Sequence, residues 1–218
     1  MVTVAAAGPE ATMCTGGAPA VVLLVEAELR FPVTSPLTRF AQDLCADGYT
    51  VWLAESVPKT PPEIRAYLGD AWNRSSGRLA GALLIGNIPH AYQYVVLHSA
   101  NPNIPDAKEE AISFQYYADL NGTFSASPGY TSPHAHSFDV HGGDLNWELW
   151  IGVLPAYKGS TTATIAALVR YFDKNHAYRT GGPAPPRVFV QVSEHNNATT
   201  AAEHNFYLAA MRNGIYSW

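Results

Sequence analysis

Short valine- and leucine-rich runs alternate with helix-start signals from residue 19 to residue 89, and this alternation restricts the fold more than any other feature of the chain. Residues 19–25 form a continuous apolar run suited to a strand buried on both faces. Ser35-Pro36 supplies an N-cap with proline at the first helical position, and Leu37, Phe40, Ala41, Leu44 and Cys45 recur on one helical face. Gly48 is placed to close that helix in the left-handed conformation, and residues 49–53 read as a second strand. Thr60-Pro61-Pro62-Glu63 is a capping box, with Ile64, Leu68 and Trp72 following at i, i+4 and i+8. Residues 80–85 give a third strand, stopped by Gly86-Asn87-Ile88-Pro89. A βαβαβ order lays helices over the faces of a mostly parallel sheet, so the expected class is an α/β sandwich.

From 90 to 144 the helical period is lost and Asn, Pro, Ser, Gly and Tyr accumulate, with a short strand expected over 112–117. An ordered loop region of this length inside a compact domain is usually functional. Beyond Pro155, residues 161–174 place Ile165, Leu168, Val169 and Phe172 on a helical face, and 187–192 read as another strand. Thr199 or Thr200 caps a helix through Met211, Gly214 ends it, and Ile215-Tyr216 starts what reads as one more strand. The expected organisation is a flexible leader at 1–18, an N-terminal α/β subdomain with long acidic loops at 19–155, and the start of a second subdomain at 156–218. A strand begun at the last residues gives the expectation of an α/β unit incomplete at its C-terminus.

Of 218 residues, 47% are hydrophobic and 14% charged, enough apolar material for one large core or two small ones. The formal charge of -5 comes with 13 scattered basic residues, which leaves no footprint for nucleic acid or an anionic membrane surface. The apolar run at 18–25 is too short to span a bilayer and has no positive flank. Cys45 sits at an apolar helical position and Cys14 in a small-residue leader, a placement that favours free thiols over a disulfide.

The candidate chemistry lies in two acidic, glycine-bearing loops, Asp119-Leu120-Asn121-Gly122 and Asp139-Val140-His141-Gly142-Gly143-Asp144. Asp119, Asn121, Asp139, Asp144 and Glu148, with Asn146, are hard oxygen donors in turns, the ligand type of a structural calcium ion. The competing explanation is that Asp and Asn favour turns by bonding nearby amides. A second candidate is His134, His136 and His141 with Asp139, a donor set for zinc in a hydrolase that activates water. The bland alternative is a polar surface loop. Glu194-His195 and Glu203-His204 are weaker acid/base or binding candidates, Glu194 and His195 falling just after the strand expected at 187–192.

Five tracts carry a family resemblance: Gly48-Tyr49, Thr60-Pro61-Pro62-Glu63-Ile64, Leu83-Leu84-Ile85-Gly86, Tyr116-Tyr117-Ala118-Asp119-Leu120-Asn121-Gly122 and Glu148-Leu149-Trp150-Ile151-Gly152-Val153-Leu154-Pro155-Ala156. In this order they resemble the N-terminal portion of gingipain-type cysteine peptidases, over roughly residues 40–218. Asn121 stands where the family has a second Asp, and Val153 where it has Arg. The resemblance implies a caspase-like, Rossmann-like three-layer sandwich, secretion, and a protein or peptide substrate. It also implies that the catalytic His-Gly and Ala-Cys motifs lie C-terminal to these residues, so that the parent protein hydrolyses peptides and this chain does not. Two further classes stand beside it: a non-catalytic binding or accessory α/β module, and the zinc hydrolase.

Overall fold

Two helices and the strand between them form as the local signals dictate. In the computed structural model, which describes residues 10–97, 107–157 and 159–181, the Thr60 side chain accepts the Glu63 N–H while the Glu63 carboxylate accepts the Thr60 N–H, closing the capping box. In chain order the elements are β1 (Glu10–Cys14), β2 (Ala20–Val25), α1 (Ala27–Arg30), α2 (Thr34–Ala46), β3 (Thr50–Ala54), α3 (Pro61–Arg74), β4 (Leu79–Gly86), β5 (Tyr92–Leu97), β6 (Ala107–Ile112), α4 (Gln115–Ala118), β7 (Thr123–Ser125), β8 (Ser137–Phe138), β9 (Val140–Gly142), β10 (Trp150–Pro155) and α5 (Thr161–Arg179). All described residues belong to one compact unit, Met1–Gly182. The strands expected at 187–192 and 215–216, the helix ending at Met211, and Glu194, His195, Glu203 and His204 lie outside the described residues.

The main sheet has the order β1-β3-β2-β4-β10, with β3, β2, β4 and β10 parallel and β1 antiparallel at the edge. This is an α/β fold with a five-stranded, mostly parallel sheet flanked by helices. Every residue of β2 is buried, and its side chains divide by parity. Ala20, Val22 and Leu24 pack with Ile64, Tyr67, Leu68 and Ala71 of α3, whereas Val21, Leu23 and Val25 pack with α2 and with Leu168 and Phe172 of α5. Burying each large apolar side chain contributes roughly 2 kcal/mol. The whole β-propensity scale spans about 1 kcal/mol, so two-sided packing rather than local preference fixes this strand. Trp150 on β10 lies opposite Gly81, where an added Cβ would sit 2.2 Å from the indole ring. Glycine at that position is therefore what lets β10 close on β4.

Two expectations for the start of the chain are overturned. Residues 10–14 of the supposed leader are an edge strand paired with β3, and Cys14 is joined to Cys45 by a disulfide with Cα atoms 6.3 Å apart. Cys45 occupies the helix face expected for it. That face covers the sheet edge along which β1 runs, and both cysteines pack against the same apolar cluster.

Between β4 and β10 the chain builds a lateral region of two small sheets, β6-β5-β8 and β7-β9. The strand expected at 112–117 is instead the end of β6 followed by α4. Tyr117 explains the change: on a helical turn its ring is fully buried and its hydroxyl donates to the Pro89 carbonyl at 2.6 Å, pinning the insertion to the end of β4. Burial also raises the Tyr117 phenol well above the ordinary tyrosine range, so it stays a donor.

Candidate functional site

The antiparallel pairing of β7 with β9, which sets Phe124 opposite His141, lays the two acidic loops side by side. Asp119, at the C-terminal end of α4, is fully buried. Its Oδ1 accepts the Gly122 N–H at 2.6 Å and its Oδ2 lies 2.7 Å from His141 Nε2. Glu148 accepts the Leu120 N–H at 2.6 Å and the Asn121 side-chain amide at 2.5 Å. Asp144 accepts the Asn146 N–H at 3.1 Å, and hydrogen bonds led by that one hold its carboxyl below the usual range.

Arg65 of α3 ties this assembly to the main sheet. One guanidinium nitrogen donates to the carbonyls of Asp119, Leu120 and Gly122 at 2.9, 3.1 and 2.7 Å, and the group lies 4.9 Å from the centre of the Phe124 ring. The His141 imidazole stacks on the same ring at 4.3 Å and 9°. The 116–122 tract is thus clamped from below by a cation and closed from the side by an imidazole.

Among the described residues, one set of three metal-type side chains presents ligand atoms within 4.8 Å of one another: Asp119, Asp144 and Glu148. Calcium–oxygen distances of about 2.3–2.6 Å allow three such atoms to share one ion. Each carboxylate nevertheless has an N–H donor from its own loops, the role that Asp and Glu play in turns without metal. Asn121 joins the set through its side-chain hydrogen bonds to Glu148 and Asp144. Asp139 is directed elsewhere, accepting the Ser127 N–H at 2.7 Å and the Ser127 hydroxyl, and those bonds lower its pKa.

The histidine run is not brought together. His134 stacks on Tyr92 with ring centres 3.7 Å apart and stands 3.7 Å from the Glu110 carboxylate. His136 lines a cavity of about 220 Å³ with Tyr116, Phe124 and Phe138, while His141 is committed to Asp119. The cause is topological. The run crosses from β8, which pairs with β5, to β9, which pairs with β7, so its histidines are carried by two different sheets.

No family model, curated protein or solved structure matches this chain. Its chemistry therefore rests on its own geometry.

One feature escaped the sequence reading. The connection after β2 passes through α2 on one face of the sheet, whereas the insertion after β4 packs with α3 on the other. Diverging connections of this kind open a crevice at the carboxyl ends of the strands, the usual ligand position in open α/β sheets. Here a cavity of about 370 Å³ occupies it, lined by Glu26 and Glu28 after β2, Asn87 after β4, and Tyr157, Ser160 and Thr161 after β10. Glu26 shapes one wall: its carboxylate accepts the Asn87 N–H at 2.8 Å, and Gly86, at φ +99°, leaves the room it needs. The signal was present in Glu26 and Gly86-Asn87 at two strand ends, but pairing β2 with β4 was required to make them neighbours.

Proposed function

We propose that this chain is the N-terminal α/β region of a gingipain-like cysteine endopeptidase and does not itself hydrolyse peptide bonds. The observation that carries the second half is the Cys14–Cys45 disulfide, which takes up both cysteines of the sequence. A cysteine peptidase needs a thiolate nucleophile beside an imidazole, and a disulfide sulfur cannot supply one. The first half rests on the five sequence tracts. Leu83-Leu84-Ile85-Gly86 ends β4 and Glu148 to Ala156 runs through β10 beside it, so two of those tracts are adjacent parallel strands. Helices on both faces of a parallel sheet support a three-layer, caspase-like arrangement. The disulfide also suits the oxidising compartment that secretion implies.

The test has two parts. The intact mass of the protein from its native source is compared with the 23.5 kDa of this chain, and the isolated chain is treated with a thiol-directed peptidase inhibitor and a broad peptide substrate set. The reading expects a larger native mass, no labelling and no cleavage. A native mass equal to that of the chain would replace it with a non-catalytic binding module, and cleavage by the chain would overturn it outright.

A further inference from the structure

We infer that His90 is an acid-sensitive pin at the root of the lateral region, and that protonating its ring loosens the β5–β6 pair from the main sheet. The inference is independent of the peptidase reading. His90 lies in the connection between β4 and β5, where the chain leaves the main sheet. The residues on either side of it hold that connection in place. The Pro89 carbonyl accepts the Tyr117 hydroxyl at 2.6 Å, and the Ala91 carbonyl accepts the Ser113 N–H at 2.9 Å. The His90 ring itself meets Phe114, just before α4, at 88° with ring centres 5.8 Å apart.

Nδ1 of His90 breaks this pattern of satisfied groups. It is cut off from solvent and has no hydrogen-bond partner among the described residues. A neutral ring leaves one uncharged atom unsatisfied there, whereas an imidazolium puts an N–H and part of a positive charge at that nitrogen. Burying an unpaired charge costs far more than burying a neutral polar atom.

The acids on the elements that meet at this junction are committed elsewhere. On β6, Glu110 accepts from Ser132 and Ser137, and Glu109 is exposed. After α4, Asp119 is held by Gly122 and His141, and Glu148 before β10 is held by Leu120 and Asn121. Arg65 of α3 is bound to the 119–122 carbonyls, and burial keeps the Tyr116 and Tyr117 phenols neutral. His134 is stacked on Tyr92, the first residue of β5, whose N–H bonds the His136 carbonyl. No charge among these moves the His90 titration. Burial is its one cause, and it holds the ring below the ordinary histidine range.

Once the connection opens, the ring meets water and titrates near the ordinary value of about 6.5. The closed form then binds fewer protons than the open one as pH falls through that value, so opening gains in acid. One pH unit below it a free ring is about ten-elevenths charged, which favours opening by up to about tenfold. The Asp139 carboxylate acts in a separate window, at about pH 4 and below.

The experiment is amide hydrogen exchange of the whole chain at about pH 7.5 and about pH 5.5, the lower value one unit below the ordinary histidine range, with rates corrected for the intrinsic pH dependence of exchange. Amides of 92–97 and 107–112 are expected to lose protection by several-fold, up to about tenfold, at the lower pH, while those of β2 and β4 keep theirs. His90→Phe keeps a ring against Phe114 and cannot be charged, so it is expected to show no such loss. Proton NMR of the parent, with the His90 ring assigned through its contact with Phe114, is expected to give a His90 midpoint below about 6.5. The inference is overturned if the parent exchanges alike at both pH values, or if β2 and β4 lose protection together with the lateral strands. It is equally overturned if His90→Phe loses as much as the parent, or if the His90 midpoint lies at or above about 6.5. Should His90→Phe not fold, exchange in the parent and its His90 midpoint decide between these outcomes without it.

Discussion

Asp119 and His141 face each other at 2.7 Å inside the protein, the carboxylate fully buried and the imidazole side chain 8% exposed. The pair joins α4 to β9, elements 22 residues apart in sequence, and closes the acidic loop pair. Truncating the histidine leaves a buried carboxylate short of one donor, so His141→Ala is expected to destabilise by about 3 kcal/mol. Asp119→Asn keeps an oxygen for the Gly122 N–H and an amide for the imidazole, and is expected to cost about 1 kcal/mol. Urea denaturation of the two variants checks the inequality. Equal losses would mean that the charged contact between Asp119 and His141, which both variants remove, carries the effect rather than a buried carboxylate left short of a donor.

The Cys14–Cys45 bond closes a loop with a sequence separation of 31 and pins an edge strand to α2. A loop of that length removes about 3–4 kcal/mol of unfolded-chain entropy. The double variant Cys14→Ser/Cys45→Ser is expected to lose about 3 kcal/mol, and amide exchange at 11–14 to accelerate before exchange in β2 does. Titration of thiols in the unreduced native protein should give none. Two thiols in that assay would restore the free-cysteine reading.

What the sequence made legible divides by the range of the interaction that decides it. The capping box at Thr60 and the helix stop at Gly48, with φ +96°, are set by neighbours within four residues, and both form as read. β2 was legible because burial on two faces demands a continuous apolar run. β1 was not, because five residues paired at an edge need no period, and the disulfide was hidden for the same reason. In the candidate site, Asp119, Asp144 and Glu148 were each recognised as loop acids. Their convergence, and the diversion of Asp139 to Ser127, depend on β7 pairing with β9, which no local spacing encodes.

Asp139 makes the stability of this region depend on acid. The Ser127 hydroxyl and amide stabilise the charged carboxylate and lower its folded-state pKa. The folded protein therefore binds fewer protons than the unfolded chain once the pH drops to about 4, the ordinary Asp range. Its contribution is complete above that unfolded value and is lost as pH falls through the folded one. Melting curves of the parent and Asp139→Asn are expected to differ most near neutral pH and to converge in acid. A difference constant with pH would mean that the substitution acts through packing rather than through charge.

The cluster of Asp119, Asp144 and Glu148 discriminates between a metal and a purely hydrogen-bonded latch by a measurement large enough to read. Calcium binding to the folded state at a hundredfold excess over Kd would add about 2.7 kcal/mol, which for a domain of this size raises the melting temperature by roughly 5–10 °C. The hydrogen bonds from Gly122, Leu120 and Asn146 already give each carboxylate a donor. The expected result is therefore one melting temperature in excess chelator and in millimolar calcium. In the same assay Asp144→Asn, which can still accept the Asn146 N–H, is expected to melt within about 1 kcal/mol of the parent. A calcium-dependent rise that Asp144→Asn abolishes would assign the loops to a cation, with Asp119 and Glu148 as its remaining side-chain ligands.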